Sequence, residues 1–155
     1  MKTDWTHKAL VRRMASWLKY GKGCLVVMSE LNTRNSETPD VIGWLGGASS
    51  VLIECKVSRS DFLADGKKFF RREEEKGMGD VRYIAAPKGL LTTDELSDGW
   101  GLLEVDVRCV REIKEPERKT SNKRNECVMM MSALRRLEIA TAVYVVAEEE
   151  VANEN

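Results

Sequence analysis

Two short apolar runs joined by a glycine-rich turn constrain the fold of this chain more than any other feature. Residues 39–44 and 51–57 each have the composition of a strand, and residues 46–50 between them have that of a tight turn. Such a pair predicts an antiparallel hairpin. The second run contains Glu54-Cys55-Lys56, so two charged side chains interrupt a strand that is otherwise apolar.

The rest of the chain predicts a mixed central sheet flanked by helices, an α/β class of fold. Apolar periodicity and turn residues predict a helix over 4–20 and strands over 24–28, 81–86 and 101–107. A second helix is predicted over about 61–76, with Ser58 or Ser60 as N-cap and an apolar side of Phe62, Leu63, Phe69 and Phe70. A last helix is predicted from near Asn122, with an apolar side of Met129, Met130, Leu134 and Leu137. We expect residues 114–124 to cross the surface as a polar segment.

The 155 residues favour a single domain over 1–147, followed by an acidic, frayed tail over 148–155. No apolar run approaches the ~20 residues of a membrane helix, and the first residues lack the pattern of a signal peptide. We therefore expect a cytoplasmic protein without membrane contact. The four cysteines form no CxxC pair, and the one histidine, His7, is expected at the surface, which together disfavour a zinc site.

The balance of charge excludes one class of function. The chain carries 25 basic and 25 acidic residues and has no formal net charge. This argues against a protein that coats nucleic acid by bulk positive charge. It does not argue against an enzyme of nucleic acids, since such an enzyme needs acidic residues for a metal beside basic residues for phosphate.

The charged residues of the hairpin suggest a metal site. Glu54 and Lys56 project from the same strand face, about 7 Å apart, because side chains alternate along a strand. The hairpin brings Asp40 beside them. Mg²⁺ or Mn²⁺ would offset the cost of burying this charge by binding Asp40, Glu54 and the backbone carbonyl of Cys55. Lys56 would then orient or help deprotonate a water aimed at a phosphodiester. The alternative is a strand end that enters solvent with a simple salt bridge.

Basic residues follow the hairpin on one face of the next predicted helix. They are Lys67, Lys68, Arg71 and Arg72, at positions i, i+1, i+4 and i+5, and we predict that they contact the DNA backbone. The alternative is a solvated face paired with the glutamates at 73–75. Asp61 and Asp65 are one helical turn apart. Either they are simply stabilised by the dipole at the start of the helix, or they belong to the site. A second set of candidate phosphate contacts comprises Lys114, Arg118, Lys119, Lys123 and Arg124.

Several blocks of residues together resemble the PD-(D/E)XK nuclease superfamily, and residues 29–87 are similar to the MmcB-like family of DNA-repair-associated proteins. The blocks are Ser29-Glu30, Asp40-Val41, Ile53-Glu54-Cys55-Lys56, Ser60-Asp61-Phe62, Asp65 with Lys67, and Asp80, Tyr83, Ala85 and Pro87. The resemblance implies a restriction-endonuclease-like core, acidic metal ligands at Glu30, Asp40 and Glu54, and Lys56 as the catalytic lysine. Lys68 and Arg71 stand where the family more often has aromatic residues, which bears on the substrate rather than on the metal site.

The leading hypothesis is a Mg²⁺-dependent deoxyribonuclease that hydrolyses phosphodiester bonds in repair, recombination or phage-type DNA processing. A homodimer would suit the cutting of both strands. Two alternatives stay open at this stage. One is a DNA-binding module that keeps the same fold and acts only with a partner, and the other is a structural protein without a nucleic-acid ligand, which the set of Asp40, Glu54 and Lys56 disfavours.

Overall fold

The computed structural model describes residues 4–31, 37–65 and 77–137 and contains one six-stranded sheet. The strands are β1 (Val26–Ser29), β2 (Val41–Trp44), β3 (Ser50–Cys55), β4 (Val81–Pro87), β5 (Gly101–Val105) and β6 (Val110–Lys114). The helices are α1 (His7–Ser16), α2 (Arg59–Asp65) and α3 (Lys123–Leu137). A π-helical turn (Trp17–Gly21) extends α1, and short 3₁₀ turns cover Gly46–Ala48 and Thr93–Glu95.

The sheet is mixed, as the sequence predicted, and its strands are neighbours in chain order. β1 with β2, β2 with β3, and β5 with β6 pair antiparallel, whereas β4 pairs parallel with both β3 and β5. The predicted hairpin is therefore confirmed in β2 and β3. Every residue of β3 is buried, which fits a strand in the middle of a sheet covered on both faces.

Alternating side chains of the strands build an apolar core on each face of the sheet. On one face, Leu10, Met14 and Leu18 of the first helical segment pack in one cluster with Ile53, and the cluster includes two cysteines, Cys24 and Cys55. On the other face, a second cluster comprises Ile42, Trp44, Leu52, Met78, Ile84, Ala86, Leu91, Leu96, Trp100, Leu102 and Met129. No helix among the described residues is long and apolar enough to span a membrane.

Side-chain caps fix the starts of the first two helices. The hydroxyl of Thr6 accepts a hydrogen bond from the backbone N–H of Ala9 at 3.2 Å, so α1 begins at His7. Ser58 does the same for the N–H of Asp61, also at 3.2 Å. Of the two predicted caps Ser58 is therefore the one used, and α2 begins at Arg59, two residues earlier than predicted.

Several predicted details are wrong, and each concerns a solvent-exposed segment. The sequence indicated no strand over β6 (Val110–Lys114), which is polar and only partly buried because it forms the edge of the sheet. β5 ends at Val105 rather than at residue 107. Along α3 the predicted apolar face is only partly buried. Met129 is buried, but Leu134 and Leu137 are exposed, as is Leu63 in α2.

A buried carboxylate attaches α3 to the sheet. Glu126, 2 % exposed, accepts hydrogen bonds from Trp44 Nε1 at 2.9 Å, from Ser50 Oγ at 2.7 Å and from the N–H of Gly79 at 3.0 Å. The hydroxyl of Ser121 also donates to Glu126. Lys123 joins this network through its ammonium, which lies 2.7 Å from Asp80 and 3.1 Å from Glu126. The carboxylate thus satisfies donors from four separate segments.

We predict that Glu126→Ala lowers the free energy of unfolding by about 3–5 kcal/mol, because it leaves several buried donors without an acceptor. Chemical denaturation monitored by circular dichroism measures this. Glu115→Ala removes an exposed glutamate and serves as the matched control, with an expected change of about 0.5 kcal/mol or less. Equal losses in the two variants would contradict the role assigned to Glu126.

The same network predicts a pH dependence of stability. Burial alone would raise the pKa of Glu126, but hydrogen bonds from Ser121, Ser50 and Trp44 lower it below its ordinary 4.5. Because the folded-state pKa is depressed, the unfolded chain binds the proton more tightly. The free energy of unfolding should therefore decline as the pH falls below 4.5 toward the folded-state value. Denaturation curves from roughly pH 7 to pH 3 should show a shallower decline in Glu126→Gln.

Candidate metal centre

The strand register aligns three acidic residues at one end of the sheet. β1 pairs with β2 through Ser29↔Val41, and β2 pairs with β3 through Val41↔Ile53. Continued by one residue, this register sets Glu30 opposite Asp40 and Asp40 opposite Glu54. The N–H of Glu30 donates to the carbonyl of Asp40 at 3.0 Å, which supports the continued alignment. Neighbouring residues of this kind have Cα atoms about 4.5–5.5 Å apart.

A backbone hydrogen bond fixes the carboxylate of Asp40. Its Oδ2 accepts from the N–H of Cys55 at 2.7 Å, a short distance typical of a charged acceptor. Asp40 immediately precedes β2, and its side chain here accepts a backbone hydrogen bond from the end of β3. Oδ1 of Asp40 lies instead toward the first turn of α1, 3.3 Å from His7 Nε2.

Glu30 and His7 complete a cluster around Asp40. Glu30 has a positive φ of 49°, a conformation that is uncommon outside glycine and that turns its side chain out of the alternation of β1. Its Oε1 lies 3.4 Å from His7 Nε2. Within the described part of the chain, His7, Glu30 and Asp40 form the group that could hold a metal ion, with one ligand atom from each and all three atoms within 4.8 Å of one another.

Glu54, which the continued register sets opposite Asp40, and Lys56 are more deeply buried than this cluster. Glu54 is 2 % exposed and Lys56 4 %. Their positions in the alternation of β3 place them on the face of Leu52, which belongs to the second apolar cluster. The ammonium of Lys56 lies 3.9 Å from Asp61 Oδ1, so Asp61 at the start of α2 is its partly exposed counter-ion.

The buried thiol of Cys55 lies between Glu54 and Lys56 in sequence, at the end of β3. Burial is the main cause that raises the pKa of this thiol far above its ordinary 9.0, and the negative charges of Asp40, Glu54 and Glu30 raise it further. Lys56 opposes the shift. All four charged residues predicted for the site therefore act on one buried atom at the end of β3. Cys55 itself is held as an inert thiol.

The structure thus brings together some of the predicted site residues and not others. Asp40 and Glu30 share the cluster with His7. Glu54 is not a member of it, although the continued strand register sets Glu54 opposite Asp40. Four predicted DNA contacts, Lys67, Lys68, Arg71 and Arg72, lie outside the described residues. Two members of the second basic set lie at the other end of β3, because Arg118 donates to Ser49 and Lys123 contacts Asp80. Along the six residues of β3 that separation is roughly 17–20 Å.

His7 was expected at the surface, and its part in the cluster was missed. Its side chain is 39 % exposed, so the surface prediction is partly right. Its contacts depend on how α1 crosses the sheet, which no local sequence pattern encodes. The one feature of the sequence that indicates the position of His7 is Thr6. Threonine is a preferred N-cap residue, so it places His7 in the first turn of the helix.

The donor groups at this strand end fit a divalent cation. Carboxylate oxygens from Asp40 and Glu30 suit Mg²⁺ or Mn²⁺, as would the neighbouring carboxylate of Glu54 and the backbone carbonyl of Cys55. The side chain of Asp40 is 17 % exposed and that of Glu30 51 %. An ion could therefore reach these oxygens from solvent.

Comparisons with known proteins support the fold and leave the function open. No protein-family model matches the chain, and no curated protein does. Among solved structures, a Silicibacter pomeroyi protein, whose title gives its function as unknown, is similar with a TM-score of 0.65 and 27 % sequence identity. The likeness covers 88 % of this chain and 92 % of that one.

We predict that Asp40→Ala destabilises the metal-free protein by about 1–3 kcal/mol, because the N–H of buried Cys55 loses its acceptor. Asp40→Asn should cost less, since the amide oxygen can still accept that bond. Urea denaturation of the two variants in a metal chelator measures the difference. Asp94→Ala, at an exposed aspartate, is the control. Alanine and asparagine variants of equal stability would contradict the assigned hydrogen bond.

Proposed function

We propose that this chain is a metal-dependent endonuclease that hydrolyses DNA phosphodiester bonds, with a restriction-endonuclease-like core of the PD-(D/E)XK type. Its resemblance to the MmcB-like family suggests a role in DNA repair, with recombination or phage-type DNA processing as other settings. The proposed cofactor is Mg²⁺ or Mn²⁺. The proposed site comprises Asp40, Glu54, Lys56 and Glu30, together with the backbone carbonyl of Cys55.

One observation carries the proposal. Two opposite charges, Glu54 and Lys56, are buried two residues apart at the end of the central strand, where Asp40 and Glu30 align with them across the sheet. Burial of charged groups costs free energy that apolar residues of similar size would not cost. A strand end stabilised only for folding would not need acidic residues at the ends of three neighbouring strands and an ammonium beside them in sequence. A catalytic site for phosphodiester hydrolysis would.

The charge of each residue determines its proposed role in the site. Asp40, Glu54 and Glu30 would hold the cation, which when bound withdraws charge from the phosphate. The hydrogen bond from Cys55 fixes Asp40 in advance, so little reorganisation is needed on binding. Lys56 would place its ammonium beside the reacting phosphate and orient the attacking water. In the reaction the water oxygen forms a bond to phosphorus, one P–O bond of the DNA breaks, and a proton passes to the leaving oxygen.

Further parts of the proposal concern DNA contact and setting. Lys67, Lys68, Arg71 and Arg72 follow α2 in sequence, and we propose that they neutralise the DNA backbone. The four cysteines are free thiols, in keeping with a reducing cytoplasm. A homodimer would allow both strands of a duplex to be cut.

We predict that Lys56→Met keeps the fold and metal affinity but lowers cleavage by ~100-fold or more, because one positioned cationic group is lost. Methionine is chosen since it matches the buried stem of Lys56. Asp40→Ala and Glu54→Ala should lose metal affinity and cleavage together. Calorimetric Mn²⁺ titration and a plasmid-nicking assay measure the two properties.

Lys88→Met is the matched control, because Lys88 is an exposed lysine just beyond the end of β4. It should nick at the parental rate. Parental nicking by Lys56→Met would refute the proposed site. A parental protein that binds DNA but does not nick any of a panel of duplex, single-stranded and branched substrates with Mg²⁺ or Mn²⁺ would favour the non-cleaving DNA-binding module that acts with a partner.

A further inference from the structure

The single histidine of the chain lies at the proposed metal site. His7 is the first residue of α1, and its Nε2 lies between two carboxylates from different strands. It is 3.3 Å from Asp40 Oδ1 and 3.4 Å from Glu30 Oε1. None of the residues assigned to the proposed nuclease site supplies a nitrogen ligand, so this side chain adds a different chemistry.

We propose that His7 is a nitrogen ligand of the same cation, and that it makes the site selective for a divalent transition-metal ion such as Mn²⁺ over Mg²⁺. This role of His7 rests on the proposed function, because it uses the same site. It adds to the proposed function a further ligand and a metal preference that the acidic residues alone do not give.

The two distances from the imidazole nitrogen of His7 to the carboxylate oxygens suit one cation. Ligands bound at about 2.0–2.2 Å lie about 3.0–3.5 Å apart when they are adjacent in the coordination sphere. Both distances from His7 Nε2 fall in that range. The backbone N–H of Cys55 occupies Oδ2 of Asp40, so Oδ1 is the oxygen that faces His7.

The chemistry of the donors sets the metal preference. Mg²⁺ strongly prefers oxygen ligands, whereas imidazole suits the transition metals, whose affinity for such a site rises along the series from Mn²⁺ onward. One imidazole with two carboxylates therefore favours a transition metal. All three side chains are partly exposed, at 39 % for His7, 51 % for Glu30 and 17 % for Asp40, so the ion has a path from solvent.

Because the 155-residue chain has one histidine, its imidazole can be observed directly by long-range ¹H–¹⁵N NMR. Diamagnetic Zn²⁺ should shift the Nε2 resonance, substoichiometric Mn²⁺ should broaden the ring signals, and Mg²⁺ at the same concentration should leave them in place. Calorimetry should show that His7→Ala weakens Mn²⁺ binding by about 10–100-fold while Mg²⁺ affinity changes less than about twofold.

Two further variants separate a ligand from a structural role. His7→Glu replaces the nitrogen by oxygen at a helix start that tolerates an acid, and it should shift the preference toward Mg²⁺. Lys8→Ala, at the exposed neighbouring position, should change neither affinity. Circular dichroism verifies that each variant is folded.

The outcomes distinguish this inference from the proposed function. Unchanged Mn²⁺ affinity in His7→Ala, with loss in Asp40→Ala, would overturn the role of His7 and leave the nuclease proposal intact. Mn²⁺ binding that depends on His7, in a protein whose DNA cleavage is absent with either metal, would support the ligand and refute the nuclease. Equal affinity of the parental protein for Mn²⁺ and Mg²⁺, or no binding of either, would overturn the metal preference.

Discussion

Complete burial of β3 is the constraint on which the rest of this structure depends. Neighbours on both sides satisfy its backbone, and apolar clusters cover both of its faces. Such a strand must be apolar, and charged side chains are tolerated only where compensating groups can reach them. That place is its end, at Glu54 and Lys56. The fold thus confines a polar site to this end of the strand. Glu54 and Lys56, the charged residues of the segment 50–57, lie at that end.

The hairpin and its acidic pair could be predicted from sequence because both depend on local signals. Alternation fixes the face of each side chain and the short connection fixes the register, so Asp40 and Glu54 had to be neighbours. Non-local features could not be read in this way. β6 is polar because it covers only the edge of β5, and Leu134 and Leu137 follow a helical period without facing the core. The contact of His7 with Asp40 depends on the packing of α1 against the sheet.

The carboxylates of Glu126 and Asp40 differ in the hydrogen-bond donors that surround their oxygens. Glu126 is surrounded by donors from Trp44, Ser50, Ser121 and the backbone, so it has little capacity for another ligand. Its role is to hold α3 on the sheet. Asp40, in contrast, has one oxygen taken by a backbone N–H and the other facing an imidazole, next to an exposed glutamate. Because hydrogen-bond donors already satisfy the oxygens of Glu126, its role is structural. The surroundings of Asp40, which combine a backbone N–H, an imidazole and a second carboxylate, suit a cation.

The zero net charge of the chain conceals a strongly acidic strand end. In the part of the chain that the structure describes, the carboxylates of Glu30, Asp40, Glu54 and Asp61 outnumber the ammonium of Lys56 at this strand end. Binding of a divalent cation would still leave this end negative, and a DNA phosphate would be repelled unless further positive charge lay nearby. Lys67, Lys68, Arg71 and Arg72 follow α2 in sequence, and Asp61 in the first turn of α2 forms an ion pair with Lys56. On the proposed function, these basic residues would supply that charge, and the zero net charge of the chain would be the sum of an acidic metal site and basic phosphate contacts.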